Sequence, residues 1–284
     1  MDKPSPSITI LILAVLAVST AAPAIRLGSS PALAVSFWRV GLAAFAIGCG
    51  MLASGRKTTL FLSRLAPLAG VLLGLHFWTW IASLDTIPVA RSVLLVSTKP
   101  VWAAILGRIL LKDSVTARNW CGIGIALCGV AVATGGGVGV SEGDLLALAG
   151  AVLAAGYMVV GRRERQRHDL APYLLNVYGW AALTLLPALV FTSTSPWPSH
   201  EVDWLVFAFL AAVPTGIGHS LYNYSLKHLP AHVVATTITL EPWGASVFAF
   251  FLFGETPEPS TWWAAPLVLL GVWLVVPRTS SSSQ

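Results

Sequence analysis

The chain has 284 residues, 56% of them hydrophobic and only 10% charged, against about 25% charged in an average soluble domain. A mean hydropathy of +0.76 excludes an ordinary water-soluble domain and points to an all-α polytopic membrane protein whose solvent is the lipid bilayer. The net charge of +5 does not indicate nucleic acid as a partner, because the basic residues fall in short clusters between apolar runs, as loops facing an anionic leaflet do.

In chain order, ten apolar stretches are of about the length that spans ~30 Å of hydrocarbon as a helix. They lie near 8–25, 33–53, 65–84, 89–111, 117–134, 143–161, 170–191, 203–225, 231–253 and 261–277. The first ends in "AAPA", which resembles a leader cleavage site, but its flank "MDKPSPS" has no net basic charge and it is read as a span. Cys49, Cys121 and Cys128 fall inside apolar runs. The last two sit on one helix with roughly 10 Å of rise between them, too far for a disulfide, and no metal or cofactor site is expected.

Basic residues mark one side of the membrane. With a cytoplasmic N-terminus, the inside loops hold Arg56, Lys57, Arg64, Lys112, Arg118, Arg162, Arg163, Arg165, Arg167 and Lys227, with Lys3 and Arg278 on the tails. The outside loops hold only Arg26 and carry Asp85, Glu142, Asp144, Glu201, Asp203, Glu255 and Glu258. Both termini are therefore expected in the cytoplasm.

Residues 142 apart repeat: Leu84 with Leu226, Pro88 with Pro230, Pro100 with Pro242, Trp120 with Trp262, and Gly129 with Gly271. Five spans per half is an odd number, so the second half is inverted relative to the first. The expected organisation is a five-helix repeat over 1–134, an outer Gly-rich linker over 135–142 and a second repeat over 143–284. "ATGGGVGVSEGD" is thus a flexible connection and not a phosphate loop.

The repeat places two ionisable groups at matched depth. Lys99 lies near the centre of span four and Glu241 near the centre of span nine, each followed directly by a proline, Pro100 and Pro242. A proline in a helix interior removes a donor and kinks the helix, and such groups survive in a membrane only against protein or a wet cavity. Two readings follow: a central substrate cavity at the repeat interface with the prolines as gating kinks, or an ion pair that merely joins the halves.

Residues three, four and seven apart share a helix face. His76, Trp80 and Ser83 form a stripe on span three, and His219, Tyr222, Asn223 and Leu226 form its counterpart on span eight. Lys99 shares a face with Trp102, Glu241 with Thr237, Gly244 and Ala245, and Tyr157 on span six is a further candidate. The candidate substrate-binding set is His76, Trp80, Lys99, Trp102, Tyr157, His219, Tyr222, Asn223 and Glu241. Trp120, Trp262 and Trp263, near span ends, read as an interfacial belt. Arg39, a few residues into span two, reads as snorkelling to the interface or binding a neighbouring helix end in preference to contacting substrate. Gly122 and Ala126 suit close packing, at the edge of a repeat or between protomers.

The stretches "PALAVSFWRVGLAA" (31–44), "SLDTIPVARSVLLVSTKPVWAAILGRILLKDSVTARNWCGIGIALCGV" (83–130), "GDLLALAGAVLAAGYMVVGRRER" (143–165) and "YSLKHLPAHVVATTITLEPWGASVFAFFLFGETP" (224–257) resemble the EamA-domain branch of the drug/metabolite transporter superfamily. That resemblance implies two five-helix repeats, prolines in spans four and nine, acidic residues after them (Asp113, Glu255) and an arginine in span two (Arg39). The first span, "LAVSTAAPAI", departs from the family in lacking a tryptophan. By the same resemblance, the protein is an exporter or exchanger of small metabolites, often amino acids, nearest to the YddG-like aromatic amino-acid exporters.

The expected function is a secondary-active carrier in a bacterial inner membrane, working by alternating access, with a facilitator or channel for another solute class as the alternative. Lys99 would attract a substrate carboxylate and Glu241 its ammonium. Protons are a candidate coupling ion through Glu241 and the membrane histidines, and transport driven by the substrate gradient alone fits the same residues. The dispersed histidines, without H-E-x-x-H, argue against an enzyme. The chain is expected as a monomer or weak homodimer.

Overall fold

A computed structural model describes residues 8–57, 59, 61–87, 89–133, 141–254, 256 and 259–276. Every regular element among them is helical. We number the helices α1 (Ile8–Ile25), α2 (Ala32–Ala53), α3 (Ala66–Leu84), α4 (Val89–Val96 and Lys99–Leu111), α5 (Ala117–Ala133), α6 (Glu142–Arg165), α7 (Leu170–Phe191), α8 (Val202–Leu226), α9 (Ala231–Phe253) and α10 (Pro259–Val275). Eight are long and apolar enough to cross a membrane; α5 and α10 contain shorter apolar helices, Ala117–Val132 and Trp262–Val275. Pro88, Glu255, Glu258, the tails and linker residues 135–140 lie outside the described residues.

Four helices are interrupted, each beside a proline. In α1 the break at Thr20 precedes Pro23, whose missing N–H leaves the Ser19 carbonyl without its intrahelical donor. In α4 a turn at Ser97 and Thr98 separates the two halves, and Pro100 sits in the first turn of the second half, where its lack of a donor costs nothing. In α9 a 3₁₀ turn, Ile238–Leu240, intervenes before the helix restarts at Glu241 with Pro242 in its first turn. In α8 the segment Ala211–His219 widens into a π-helix around Pro214. The wider register accommodates a ring that would clash with the carbonyl one turn back, and such widening often accompanies functional sites.

Packing follows small residues. α3 lies against α6 and α7, α2 against α7, and α5 against α10. The last pair is backbone to backbone: a Cβ on Gly122 would stand 2.7 Å from the Gly271 carbonyl oxygen, and one on Gly271 2.6 Å from the Ala126 nitrogen. Of the two partners open to the Gly122 and Ala126 stripe, it meets α10 of its own chain. Trp120, Trp262 and Trp263 are exposed, as expected of a belt. So are the three cysteines.

Polar contacts gather at the two ends of the bundle. At the basic end, Arg162 Nε donates to Asp113 Oδ2 at 3.1 Å, and its Nη1 donates to the carbonyls of Leu226 (3.3 Å) and Leu229 (2.7 Å). One guanidinium thus joins α6, the residues after α4 and the α8–α9 loop. At the opposite end the fully buried Asp203 carboxylate accepts from the backbone of Ser29 (2.9 Å), Ser199 (3.1 Å) and His200 (3.1 Å) and from the Ser30 hydroxyl (2.7 Å). Arg91 also lies at that end, bonded to Asp144, so Arg26 is not its only arginine. The charge count passes over Arg91 because it begins a membrane helix and reads as part of the span.

Candidate functional site

The breaks in α1, α4 and α9 face one another across a narrow cavity. Val18 and Ala21 of α1, Arg39 of α2, His76, Phe77 and Trp80 of α3, Val96 and Lys99 of α4, His219 and Tyr222 of α8, and Ile238 and Glu241 of α9 line it. A second, equally narrow chamber extends past Ala154, Tyr157 and Met158 of α6 to Leu226. The two share His76, Lys99, His219, Tyr222 and Ile238, so they are compartments of one path.

Each wall has a local cause. Lys99 starts the second half of α4, so its side chain leaves the helix at the kink and enters the bundle centre, where it is only 6% exposed. Glu241 occupies the corresponding first position after the break in α9. Its backbone carbonyl accepts from the Ser19 hydroxyl at 3.1 Å, which ties the α9 break to the α1 break. Gly244 permits this approach: a Cβ there would fall 2.6 Å from the Ser19 Cβ. The space over Gly244, on the face it shares with Glu241, is therefore taken by Ser19 of α1.

Lys99 and Glu241 face the same cavity, yet among the described residues no direct ion pair joins them. The bland reading, a salt bridge holding the halves together, does not match this arrangement. Both groups face the cavity without closing on each other.

Aromatic and imidazole rings complete the walls. His76 stacks on Trp80 at 6.3 Å between centroids, and His219 meets Phe77 edge-on at 5.0 Å and Tyr222 at 6.3 Å. His76 Nδ1 lies 2.8 Å from the Gly150 carbonyl oxygen, an acceptor only, so Nδ1 carries the proton. Its Nε2 is then a lone-pair acceptor in the neutral ring.

Of the residues expected from sequence, His76, Trp80, Lys99, Tyr157, His219, Tyr222 and Glu241 all line the path. Asn223 and Trp102 do not. Asn223 is fully buried behind the wall, where its amide donates to the Tyr157 hydroxyl and to the His219 carbonyl. Trp102 turns its indole N–H back to the Thr98 hydroxyl at 3.3 Å. Three residues along a helix leave it about 60° round from Lys99, enough to carry a large ring out of the path.

Arg39 is the residue that sequence reasoning placed elsewhere. It does not snorkel: it is 1% exposed, lines the cavity, and lies 3.8 Å above the Phe77 ring. Its Nε donates to the Thr215 hydroxyl at 3.1 Å, a group presented by the π-helical stretch of α8. Its Nη1 is buried with no partner. The signals available were the arginine that the family resemblance implies in span two and Pro214, beside Thr215 in the π-helical stretch of α8, which a helical wheel does not reveal.

Comparison with known proteins agrees with this architecture. The chain is 27% identical over 289 residues to a probable terminal-alkyne amino-acid exporter of Streptantibioticus cattleyicolor, covering 98% of this chain and 95% of that protein. It is 30% identical over 194 residues to the uncharacterized transporter YyaM of Bacillus subtilis, covering 64% and 62%. A crystal structure at 20% identity superposes with a TM-score of 0.79 over 94% of both chains, which speaks to fold alone. The EamA-like transporter family matches twice, over residues 5–135 and 141–276. With two copies of its domain in one multi-pass membrane chain, this protein belongs to the EamA-like transporter family.

Proposed function

We propose that the protein is a secondary-active exporter or exchanger of small metabolites, foremost amino acids including aromatic ones, and that it works by alternating access. In this reading the ten helices all span the membrane as two inverted repeats, 1–134 and 143–284, joined by 135–142. Both termini lie in the cytoplasm of a bacterial cell whose inner membrane holds the protein.

The observation that carries the reading is the separation of Lys99 and Glu241 across a shared cavity at matched helix breaks. Charges inside a membrane left without a partner are costly, and a zwitterion that offers a carboxylate to Lys99 and an ammonium to Glu241 offsets that cost. The rings of Trp80, Phe77 and Tyr222 supply stacking and cation–π surface. Pro100 and Pro242 are the hinges about which the half-helices of α4 and α9 swing. The similarity to a protein named as an amino-acid exporter supports the substrate class.

Reconstitution tests this. In proteoliposomes, Lys99→Ala and Glu241→Gln are each expected to abolish amino-acid exchange while the purified variants keep the elution profile of the parent. Parental rates in both variants refute the proposal. Ohmic currents in planar bilayers in place of saturable exchange favour the channel alternative, and comparing uptake with and without a pH gradient decides whether protons are coupled.

A further inference from the structure

The cavity holds more positive than negative charge. Arg39 and Lys99 both line it, with Glu241 as the one carboxylate in its wall among the described residues. A zwitterion bound between Lys99 and Glu241 adds no net charge, so Arg39 keeps an uncompensated guanidinium in a site of low dielectric. Arginine does not deprotonate in proteins, so it cannot escape by neutralisation.

Hydrogen-bonding groups lean the same way, because beside the acceptors His76 Nε2 and Glu241 the wall carries a larger set of donors. Arg39 Nη1, Trp80 Nε1 and the Tyr222 hydroxyl are buried without partners, and all three residues face the cavity at 1%, 5% and 2% exposure. The Lys99 ammonium adds three more donors. Buried donors left unpaired are costly, so the arrangement calls for an occupant that brings acceptors. Arg39 is held for such a group: Thr215 anchors its Nε and Phe77 supports its plane, which leaves Nη1 free to bind a planar anion.

Resting on the amino-acid reading above and narrowing it, we propose that the preferred substrate carries a second anionic group, as an acidic amino acid does. Its α-carboxylate meets Lys99, its ammonium meets Glu241, and its side-chain acid meets Arg39 with help from Trp80 and Tyr222. The three charges of the wall are then matched one for one. Arg39 sets specificity in this scheme.

Counterflow in proteoliposomes tests the assignment on the unaltered protein, with L-glutamate and L-aspartate compared against their uncharged near-isosteres L-glutamine and L-asparagine. The acids are expected to exchange faster at equal concentration by on the order of tenfold or more, because the amides leave Arg39 unpaired. Arg39→Gln is expected to bring the acid-to-amide ratio to about one, whereas Arg39→Lys retains a preference for the acids. Amides exchanged as fast as the acids by the unaltered protein overturn this inference and leave the amino-acid carrier standing. Exchange of none of the four overturns this inference as well, and adding L-phenylalanine and L-tryptophan to the same assay decides the carrier reading, which fails if neither of these is exchanged. The comparison of substrates on the parental protein decides between these even if Arg39→Gln does not fold.

Discussion

The two ends of the helix bundle are both closed by polar contacts, but those contacts join different things. At the basic end, Arg162 reaches from α6 to Asp113 just beyond α4 and to Leu226 and Leu229 just before α9. At the opposite end, Asp203 gathers the α1–α2 and α7–α8 connections and leaves α9 untouched. The buried surface follows the same division. Every residue of Ala231–Thr237, the half of α9 toward the basic end, is buried, and that half packs on α4, whereas Glu241–Phe253 has no buried residue and leans chiefly on α1. At the rim end α4 is tied as well, by Arg91 to Asp144 of α6, so what distinguishes the two ends is α9, buried in its basic half and not in its rim half. If α9 gates as proposed, the rim half is the one expected to move and the basic half the one expected to hold.

Breaking the rim latch is expected to cost the most stability. Asp203→Ala removes a fully buried acceptor from three backbone N–H groups and the Ser30 hydroxyl, a loss of about 3 kcal/mol or more. In a melt followed in detergent, that corresponds to a fall in Tm of about 6–12 °C. Because Asp203 does not touch the gating helices, the surviving folded fraction is expected to exchange substrate at the parental rate. A stable variant with altered turnover would erase the distinction between the two ends.

Breaking the basic latch sharpens the comparison with a smaller thermal effect and a larger functional one. Arg162→Ala leaves Asp113 and two carbonyls without their donor, a loss of about 2 kcal/mol because water reaches part of the site. A fall in Tm of about 4–8 °C is expected. The variant is also expected to shift toward opening at the basic end, read as faster passive leak of preloaded substrate from proteoliposomes. An unchanged leak with the expected loss of stability would make Arg162 a structural tie and not a gate contact.

How much of this was legible in the sequence depends on the range of the physics involved. Membrane spans are set by local hydropathy, and the described helices fall within a few residues of the apolar runs. The repeat and its two breaks were legible because proline imposes the same local constraint wherever it stands. Lys99 and Glu241 stood out because a charge amid apolar residues has few solutions. Arg39 did not, because an arginine near a span end has a cheap alternative in snorkelling, and only the Thr215 hydroxyl and the Phe77 ring, both distant in sequence, decide against it. Trp102 and Asn223 fell on the correct stripes but not in the path, since a stripe about 100° wide reports which helices a side chain faces and not whether a ring or hydroxyl stands in front of it. The Arg162 latch joins residues 49, 64 and 67 positions apart and has no local signature at all.

The central claim is that the space between Lys99 and Glu241 is the substrate site and is reached by water from the rim end. Ile238 lines both chambers at the α9 break, so a cysteine there reports directly on that space. In a background with Cys49, Cys121 and Cys128 replaced by alanine, Ile238→Cys is expected to react with a membrane-impermeant maleimide applied from the rim side faster than from the basic side. A saturating amount of a transported amino acid is expected to slow that reaction. Labelling that such an amino acid leaves unchanged, or that never occurs from the rim side, would contradict the account.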